Sequence, residues 1–592
     1  MTIEQCTVRL PRTEPTVKFS RPTRFPALDG LRCLAVVAVI LSHANVPWAR
    51  GGFIGVDVFF VLSGYLITGQ LWAQVASGRV NLKRFWAARV RRLAPALLVV
   101  LVTASLAVLI AARDQLGSFR GDLVAALAYA SNWWYVLGQR SYFESSGRPP
   151  VLQHLWSLAV EEQFYLVWPL MLALFAAAAV TWRRRRTAVL TLIIGLALAS
   201  ALTMAIGSAM DNVPYDNDGS RWYFGTDSHA FGLLLGAGLA VFRHGDGLGR
   251  PMAGLRKGPP WLASLGATAL LALVAATIWL DPYTEGLYRY GLQGISLAAL
   301  AVTAAATRQT PVARLLSLGP LRAVGRRSYG LYLWHWPVMT FTRPNLDVDL
   351  DGPGLFLLRL TLIAALTEMS YQMVEKPVRE KGWTRWRIGP VPGIAVLAAV
   401  VVAIVVTVFA LSGNKSGTTA NVIPSAATPS ATATDAKQLS ISAYGDSVLE
   451  GAIPGMQKAF KQADVSTTEG IQASKVLEKI TADQESGKLQ PIVLIHTGDN
   501  GVIKESQLTG VLDKLRDRQR VLLATVYVAR PWQDDNLKLL RSMPDRYSNL
   551  RIVDWNAFAS EHKDLLYNDG IHMKPQGATA YANLIAQAAT AP

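Results

Sequence analysis

The 592 residues of this chain are 51% hydrophobic and only 17% charged, with a mean hydropathy of +0.26, which excludes a disordered chain and argues against a single soluble domain. Its 58 Lys and Arg against 41 Asp and Glu give a net charge of +17, yet the basic residues stand in short clusters between long apolar runs, the pattern of a multispanning membrane protein and not of a nucleic-acid binder. Two cysteines, Cys6 and Cys33, cannot build a disulfide framework or a Cys-based zinc site.

Residues 1–24 are polar and hold Arg9, Arg12, Lys18, Arg21 and Arg24. They read as a cytoplasmic tail with no cleavable signal, and the next apolar run as an uncleaved anchor. Over 25–380, apolar runs of about 17–25 residues recur, each long enough to cross a bilayer. Residues 381–411 read as a cytoplasmic lead-in and a last transmembrane helix. The stretch 412–437, rich in Ser, Thr, Ala and Pro, reads as a flexible linker. In 438–592, LSISAYGD, QPIVLIHTGD and RVLLATVYV are strand-like with helical stretches between them. That is an α/β pattern on a sheet.

The basic clusters orient the spans. Arg79–Arg92, Arg183–Arg186, Arg243–Lys257, Arg308–Arg327 and Lys376–Arg387 are expected on the cytoplasmic side, with Asp211, Asp281 and Asp347 in the opposite loops. Keeping the clusters on one side requires that Gly121–Val136 not cross, although it is apolar. It is read as an interfacial or re-entrant helix ending in Asn132-Trp133-Trp134-Tyr135. About eleven spans then remain, with the N-terminus cytoplasmic and the C-terminal domain extracytoplasmic.

Ionisable groups inside spans are costly and point to function. Arg32 and His43 are eleven residues apart on the first span, about three helical turns, so they share a face roughly 16 Å apart along the axis. A snorkelling anchor and an interfacial histidine are the plain alternative. Asp29, Asp57, Ser63, Glu161, Glu162, Asp227 and His335 are further candidates in or beside apolar runs. Several buried charges without a function would be an unusual expense.

With these residues the chain resembles the acyltransferase family 3 membrane enzymes. The matching pieces, in order over about residues 25–380, are Arg32 with His43, Asp57-Val-Phe-Phe with Ser63-Gly64-Tyr65, and Arg89 to Arg92 before Pro95. His154-Leu-Trp156-Ser157 through Glu161 to Tyr165, Ser328-Tyr329 and Trp334-His335-Trp336-Pro337 complete the set. The resemblance implies transfer of an acyl group, usually acetyl, from cytoplasmic acetyl-CoA or another acyl-CoA to an envelope glycan or glycolipid. His43 would be the essential histidine and Arg32 its motif partner. An imidazole can take a proton from an attacking hydroxyl or carry an acyl group, and a buried guanidinium can hold an oxyanion. Arg84, Arg89, Arg91 and Arg92 are candidates for the nucleotide phosphates of CoA, unless they are topology anchors only.

In the outer part, Gly445-Asp446-Ser447 follows a strand-like run, Gly498-Asp499-Asn500 follows a second, and Asp569-Gly570-Ile571-His572 lies near the C-terminus. Together they supply a serine nucleophile, a histidine base, an aspartate to orient it and an asparagine oxyanion donor. The set resembles the SGNH (GDSL-type) hydrolases, in which Ser447, Gly470, Asn500 and His572 would fill the four named positions, with Asp569 as the third triad member. His496 and His562 are read as ordinary histidines.

The combination resembles bacterial cell-wall O-acetyltransferases of the peptidoglycan type. The expected fold is a multispanning α-helical bundle followed by a linker and an α/β three-layer, SGNH-like outer domain in the bacterial cell membrane. The expected reaction passes acetyl across the membrane and, through an acyl-Ser447 enzyme, onto a glycan hydroxyl, with peptidoglycan favoured and no metal. Tyr135 and Tyr142, in the predicted outer segment between spans, are the candidate relay hydroxyls, interfacial anchoring being the alternative. A transporter is disfavoured because no internal repeat is apparent. An anchored esterase is disfavoured because so many spans are excessive for an anchor.

Overall fold

The computed structural model describes residues 25–76, 80–138, 140–142, 148–178, 181–215, 219–243, 257–344, 347–348, 350, 352–381, 436–468, 471–528, 530, 532–566 and 570–591. The tail 1–24, the segment 382–411 and nearly all of the linker lie outside them. Among the described residues, seven helices are long and apolar enough to cross a membrane: Pro26–His43, Pro47–Val75, Leu82–Ala111, Leu155–Ala177, Arg183–Met210, Pro260–Trp279 and Gly352–Val378. Three more apolar helices are shorter, Phe231–Arg243, Leu292–Ala306 and Ser328–Thr340. The expected count of eleven also included a span in 381–411, of which 382–411 lies outside the described residues.

The helices α1 (Pro26–His43), α2 (Gly55–Ala76) and α3 (Leu82–Ala111) open the bundle. The apolar stretch after them is not one span. It breaks into α4 (Leu116–Leu127) and α5 (Ser131–Leu137), with Tyr129 at φ 51° between them. The Trp134 indole donates to buried Asp122 at 2.9 Å and ties the two together. Neither piece is long enough to cross. Next come α6 (Leu155–Ala177) and α7 (Trp182–Met210).

Lipid gives helices no hydrophobic reason to associate, so close packing has to hold them. The tightest seam joins α2 to the helix Phe231–Arg243. A Cβ added to Gly64 would lie 1.8 Å from the Leu233 carbonyl oxygen, and one on Gly236 would lie 2.0 Å from that of Val61. Only glycine permits this backbone-to-backbone approach.

The outer domain is a five-stranded parallel sheet in the order β2-β1-β3-β4-β5, with β1 Ser440–Gly445, β2 Gln462–Thr467, β3 Ile492–Ile495, β4 Arg520–Ala524 and β5 Leu550–Val553. Because side chains alternate along a strand, Ile492 and Leu494 pack with the helices Ser447–Ala459 and Pro575–Thr590. Val493 and Ile495 pack with Ala473–Glu485, Glu505–Lys514 and Gln533–Ser542 on the opposite face. Central strands buried on both faces read as continuous apolar runs, as PIVLI and RVLLA do. The result is the three-layer α/β arrangement, whose carboxyl-end loops all open on one edge.

Candidate active sites

His43 ends α1, and two imidazoles and a phenol meet there. His43 Nδ1 lies 2.9 Å from His335 Nε2, and His43 Nε2 lies 2.7 Å from the Tyr142 hydroxyl. His335 Nδ1 in turn lies 2.5 Å from the Tyr332 carbonyl oxygen. A carbonyl only accepts, so His335 Nδ1 carries the proton and, with both rings neutral, its Nε2 accepts from His43 Nδ1–H. The chain of hydrogen bonds therefore turns the lone pair of His43 Nε2 toward Tyr142 O–H. That is a base aimed at a hydroxyl. The Trp336 ring stands edge-on to His43, and Tyr142 is walled by Trp156, Tyr223 and Phe224.

Below this centre, along the same helix, Arg32 faces a cavity of about 110 Å³ with Ser63, Arg89, Arg92, Glu161 and Tyr165. Glu161 is held by the Ser63 hydroxyl at 2.9 Å and the Tyr165 hydroxyl at 3.0 Å. Arg32 makes no hydrogen bond or ion pair among the described residues. Its guanidinium is available to an anionic group. Arg89 and Arg92 also border a groove of about 230 Å³ with Arg84, Gln70, Gln74 and Asn81, so groove and cavity adjoin. At the far end of the cavity stand Ser157 and Tyr332, whose hydroxyls are 2.6 Å apart. Tyr332 thus joins the cavity wall to the His335 hydrogen bond.

Other candidates make contacts of their own. Buried Asp57 pairs with buried His229 at 2.9 Å, and His229 Nδ1 lies 2.7 Å from the Tyr223 carbonyl oxygen, a brace between α2 and the start of the Phe231–Arg243 helix. Asp227 forms a two-pronged, partly exposed pair with Arg221. Asp29 is buried in the first turn of α1, against Gly325. A buried Glu162 Oε1 has no hydrogen bond among the described residues. Arg91 is exposed and does not border the groove, and Tyr135 packs its ring on Phe224. His154, quoted from the sequence only as part of a motif, is buried against Tyr332 and His335, and neither ring nitrogen has a hydrogen bond among the described residues. Tyr332 was missed altogether. Its only signal was its position three residues before His335.

In the outer domain, Ser447 is the first residue of its helix, and His572 Nε2 lies 2.8 Å from Ser447 Oγ. Asp446 caps that helix by accepting from Val448 N–H at 3.0 Å, and its other oxygen accepts from Asn500 Nδ2 at 3.2 Å. Asp446 therefore binds the nucleophile's helix to the oxyanion candidate. Asn500 rides on a turn with Gly498 at φ 107° and Gly501 at φ 148°, which side-chain-bearing residues rarely adopt. Gly470 and Asp569 lie outside the described residues.

His496, read as ordinary, is part of a buried cluster beneath the serine. Its Nδ1 lies 2.6 Å from the Tyr581 hydroxyl and its Nε2 lies 2.9 Å from Asp499. Burial opposes a charged ring there, yet Asp499 and then Asp446 raise its pKa. Asp446 is pushed up to about 7 by burial first and by the Asp499 charge second, with His496 opposing.

Similarity to known proteins covers both centres. The family model described as an acyltransferase domain matches residues 25–412. The peptidoglycan O-acetyltransferase OatA of Listeria monocytogenes is 33% identical over 96% of this chain and 99% of its own. YrhL of Bacillus subtilis is 32% identical over 95% of this chain and 98% of its own. Among solved structures, the C-terminal catalytic domain of Streptococcus pneumoniae OatA, with a methylsulfonyl adduct, matches 26% of this chain and 92% of that chain at 22% identity and a TM-score of 0.24.

Proposed function

The chain belongs to the family 3 membrane acyltransferases, and from that premise we propose that it is a cell-wall O-acetyltransferase working through two acyl-enzyme steps, with peptidoglycan as acceptor. The observation that carries the reading is that one chain holds two hydroxyl–imidazole pairs, Tyr142 with His43 and Ser447 with His572. The acceptor follows the name of the Listeria relative.

The donor is acetyl-CoA on the cytoplasmic side, its phosphates against Arg84, Arg89 and Arg92 and its thioester arm threading past Arg32. The Tyr142 oxygen attacks the thioester carbonyl while His43 Nε2 takes the phenolic proton. The carbon–sulfur bond breaks, and the CoA thiolate leaves with that proton. Ser447 Oγ next attacks the tyrosyl ester, passing its proton to His572, and the proton ends on the departing Tyr142 oxygen. A glycan hydroxyl then attacks acyl-Ser447, gives its proton to His572, and His572 returns one to Ser447 Oγ. Asn500, Gly470 and the Ser447 amide are the donors for the oxyanion, and Asp569 orients His572. The acyl group passes from a thioester to an aryl ester and then to alkyl esters, so no step needs a further co-reactant to drive it.

Mass spectrometry of base-labile acetyl groups on separated peptidoglycan, polysaccharide and glycolipid fractions, with and without the gene, tests the acceptor. Loss confined to the peptidoglycan fraction is the expected result. Loss from another fraction would move the acceptor there, and no loss anywhere would end the proposal.

A further inference from the structure

The two centres belong to different domains, and the structure contains a contact between those domains. Ser474 Oγ donates to the Tyr215 carbonyl oxygen at 3.1 Å, the Lys504 ammonium sits 4.5 Å above the Tyr215 ring centre, and the Trp532 and Tyr283 rings meet edge to face at 4.4 Å. Tyr215 lies in the loop after α7 and Tyr283 in the loop after the helix Pro260–Trp279, and the Tyr215 hydroxyl donates to Glu285 at 3.4 Å, tying the two loops together.

Two features give this contact a direction. On the outer domain, Ser474, Lys504 and Trp532 all sit in or just after loops that leave the carboxyl ends of β2, β3 and β4, the sheet edge that also carries Ser447 and Asn500. On the bundle, the Tyr215 loop runs into Ser220, whose hydroxyl accepts from the backbone N–H of Tyr142 at 2.7 Å. The contact thus brings the catalytic edge of one domain to the end of the bundle where Tyr142 and His43 meet. Trp532 belongs to both sides of it. Its indole N–H donates to the Gly498 carbonyl at 2.9 Å, and Asn536 holds the Gly498 and Gly501 carbonyls at 3.0 and 2.8 Å, fixing the turn that carries Asn500.

We propose that the Tyr215 and Tyr283 loops form a dock for this chain's own outer domain, which holds the oxyanion turn in register with Tyr142 through Trp532 for acyl handover. The proposal rests on the two-step reading above. A contact built from two aromatic rings, one ammonium and one hydrogen bond is small, as befits a domain that must also release to meet an acceptor in the wall.

The test uses the full-length protein in membranes. A benzophenone amino acid placed at position 283 should photocrosslink within the same chain to the peptide carrying Trp532, and a probe at exposed Leu315 should not. The Tyr215→Ala/Tyr283→Ala double variant should hydrolyse p-nitrophenyl acetate at Ser447 as the parent does, while acetylation of the wall falls about a hundredfold, the penalty of losing alignment between reacting groups. Tyr283→Phe, which keeps the ring against Trp532 and leaves the Tyr215 hydroxyl in place, should acetylate normally. Crosslinking between chains, or none to Trp532, would overturn the dock. Normal wall acetylation in the double alanine variant would do the same. The parallel Ser447→Ala strain separates the failures, since normal acetylation there sinks the two-step reading itself while the crosslink still reports on docking.

Discussion

His43 is placed by one helix and aimed by another. Removing its ring should abolish acetylation while leaving the protein inserted, because general-base catalysis is worth about 10²–10⁴ in rate. His335→Ala should leave the base in place without its orienting acceptor, so the loss should be smaller and should fall on the acyl-CoA step. Measuring CoA release from both variants in proteoliposomes checks this order, and equal losses would count against an orienting role. In the outer domain, Asp446 is protonated below about 7 in the folded protein but only below about 3.9 when unfolded. The stability that this raised value provides is therefore present below the unfolded pKa and is lost as pH rises through about 7. His496, raised by Asp499, works in the same direction above its ordinary value. Hydrogen exchange at the β3 amides, corrected for intrinsic rates, should show local stability falling from pH 5 to 8, with a flatter profile in Asp446→Asn. A rise with pH would refute the assignment.

At the scale of elements, the seam between α2 and the Phe231–Arg243 helix sets the frame for the bundle. Gly64→Ala forces a methyl group into the Leu233 carbonyl, so the helices must separate and the Asp57–His229 brace must stretch. Overpacking of this kind costs about 1–3 kcal/mol, and thermal melting of the solubilised protein should register it. Asp57→Asn should lower the same melting temperature, since it weakens a buried pair, and should also lower activity per folded molecule, because His229 packs on the Trp156 and Tyr223 rings that wall Tyr142. An unchanged melting temperature in either variant would remove that element from the account.

At the scale of the whole molecule, the charge pattern predicts sidedness. A cysteine at Ala426 should be labelled from outside and one at Ala87 should not, and the opposite result would reverse the direction of acyl transfer. The sequence made some of this legible. Apolar runs and their length mark the long spans, and doubly buried strands read as unbroken apolar runs. Arg32 and His43 could be placed on one face because helical spacing is local. His335, 292 residues from His43, could be suspected only as a histidine in an apolar run, since no local rule pairs residues so far apart. Tyr142 resembled any interfacial tyrosine until a hydrogen bond singled it out from Tyr135. His496 had a local signal in Asp499, three residues on, but its other partner, Tyr581, lies 85 residues away, beyond the reach of any local rule. Asp227 misled for the converse reason: an acid beside an apolar run was read as buried, whereas Arg221 six residues earlier holds it near the surface.

The central claim is that acetyl passes from Tyr142 to Ser447. Proteoliposomes given isotopically labelled acetyl-CoA at the cytoplasmic face, followed by peptide mapping of the labelled sites, test it most directly. In Ser447→Ala the label should collect on the peptide carrying Tyr142, and in Tyr142→Phe it should be absent from the peptide carrying Ser447. Label reaching Ser447 in Tyr142→Phe would contradict the account.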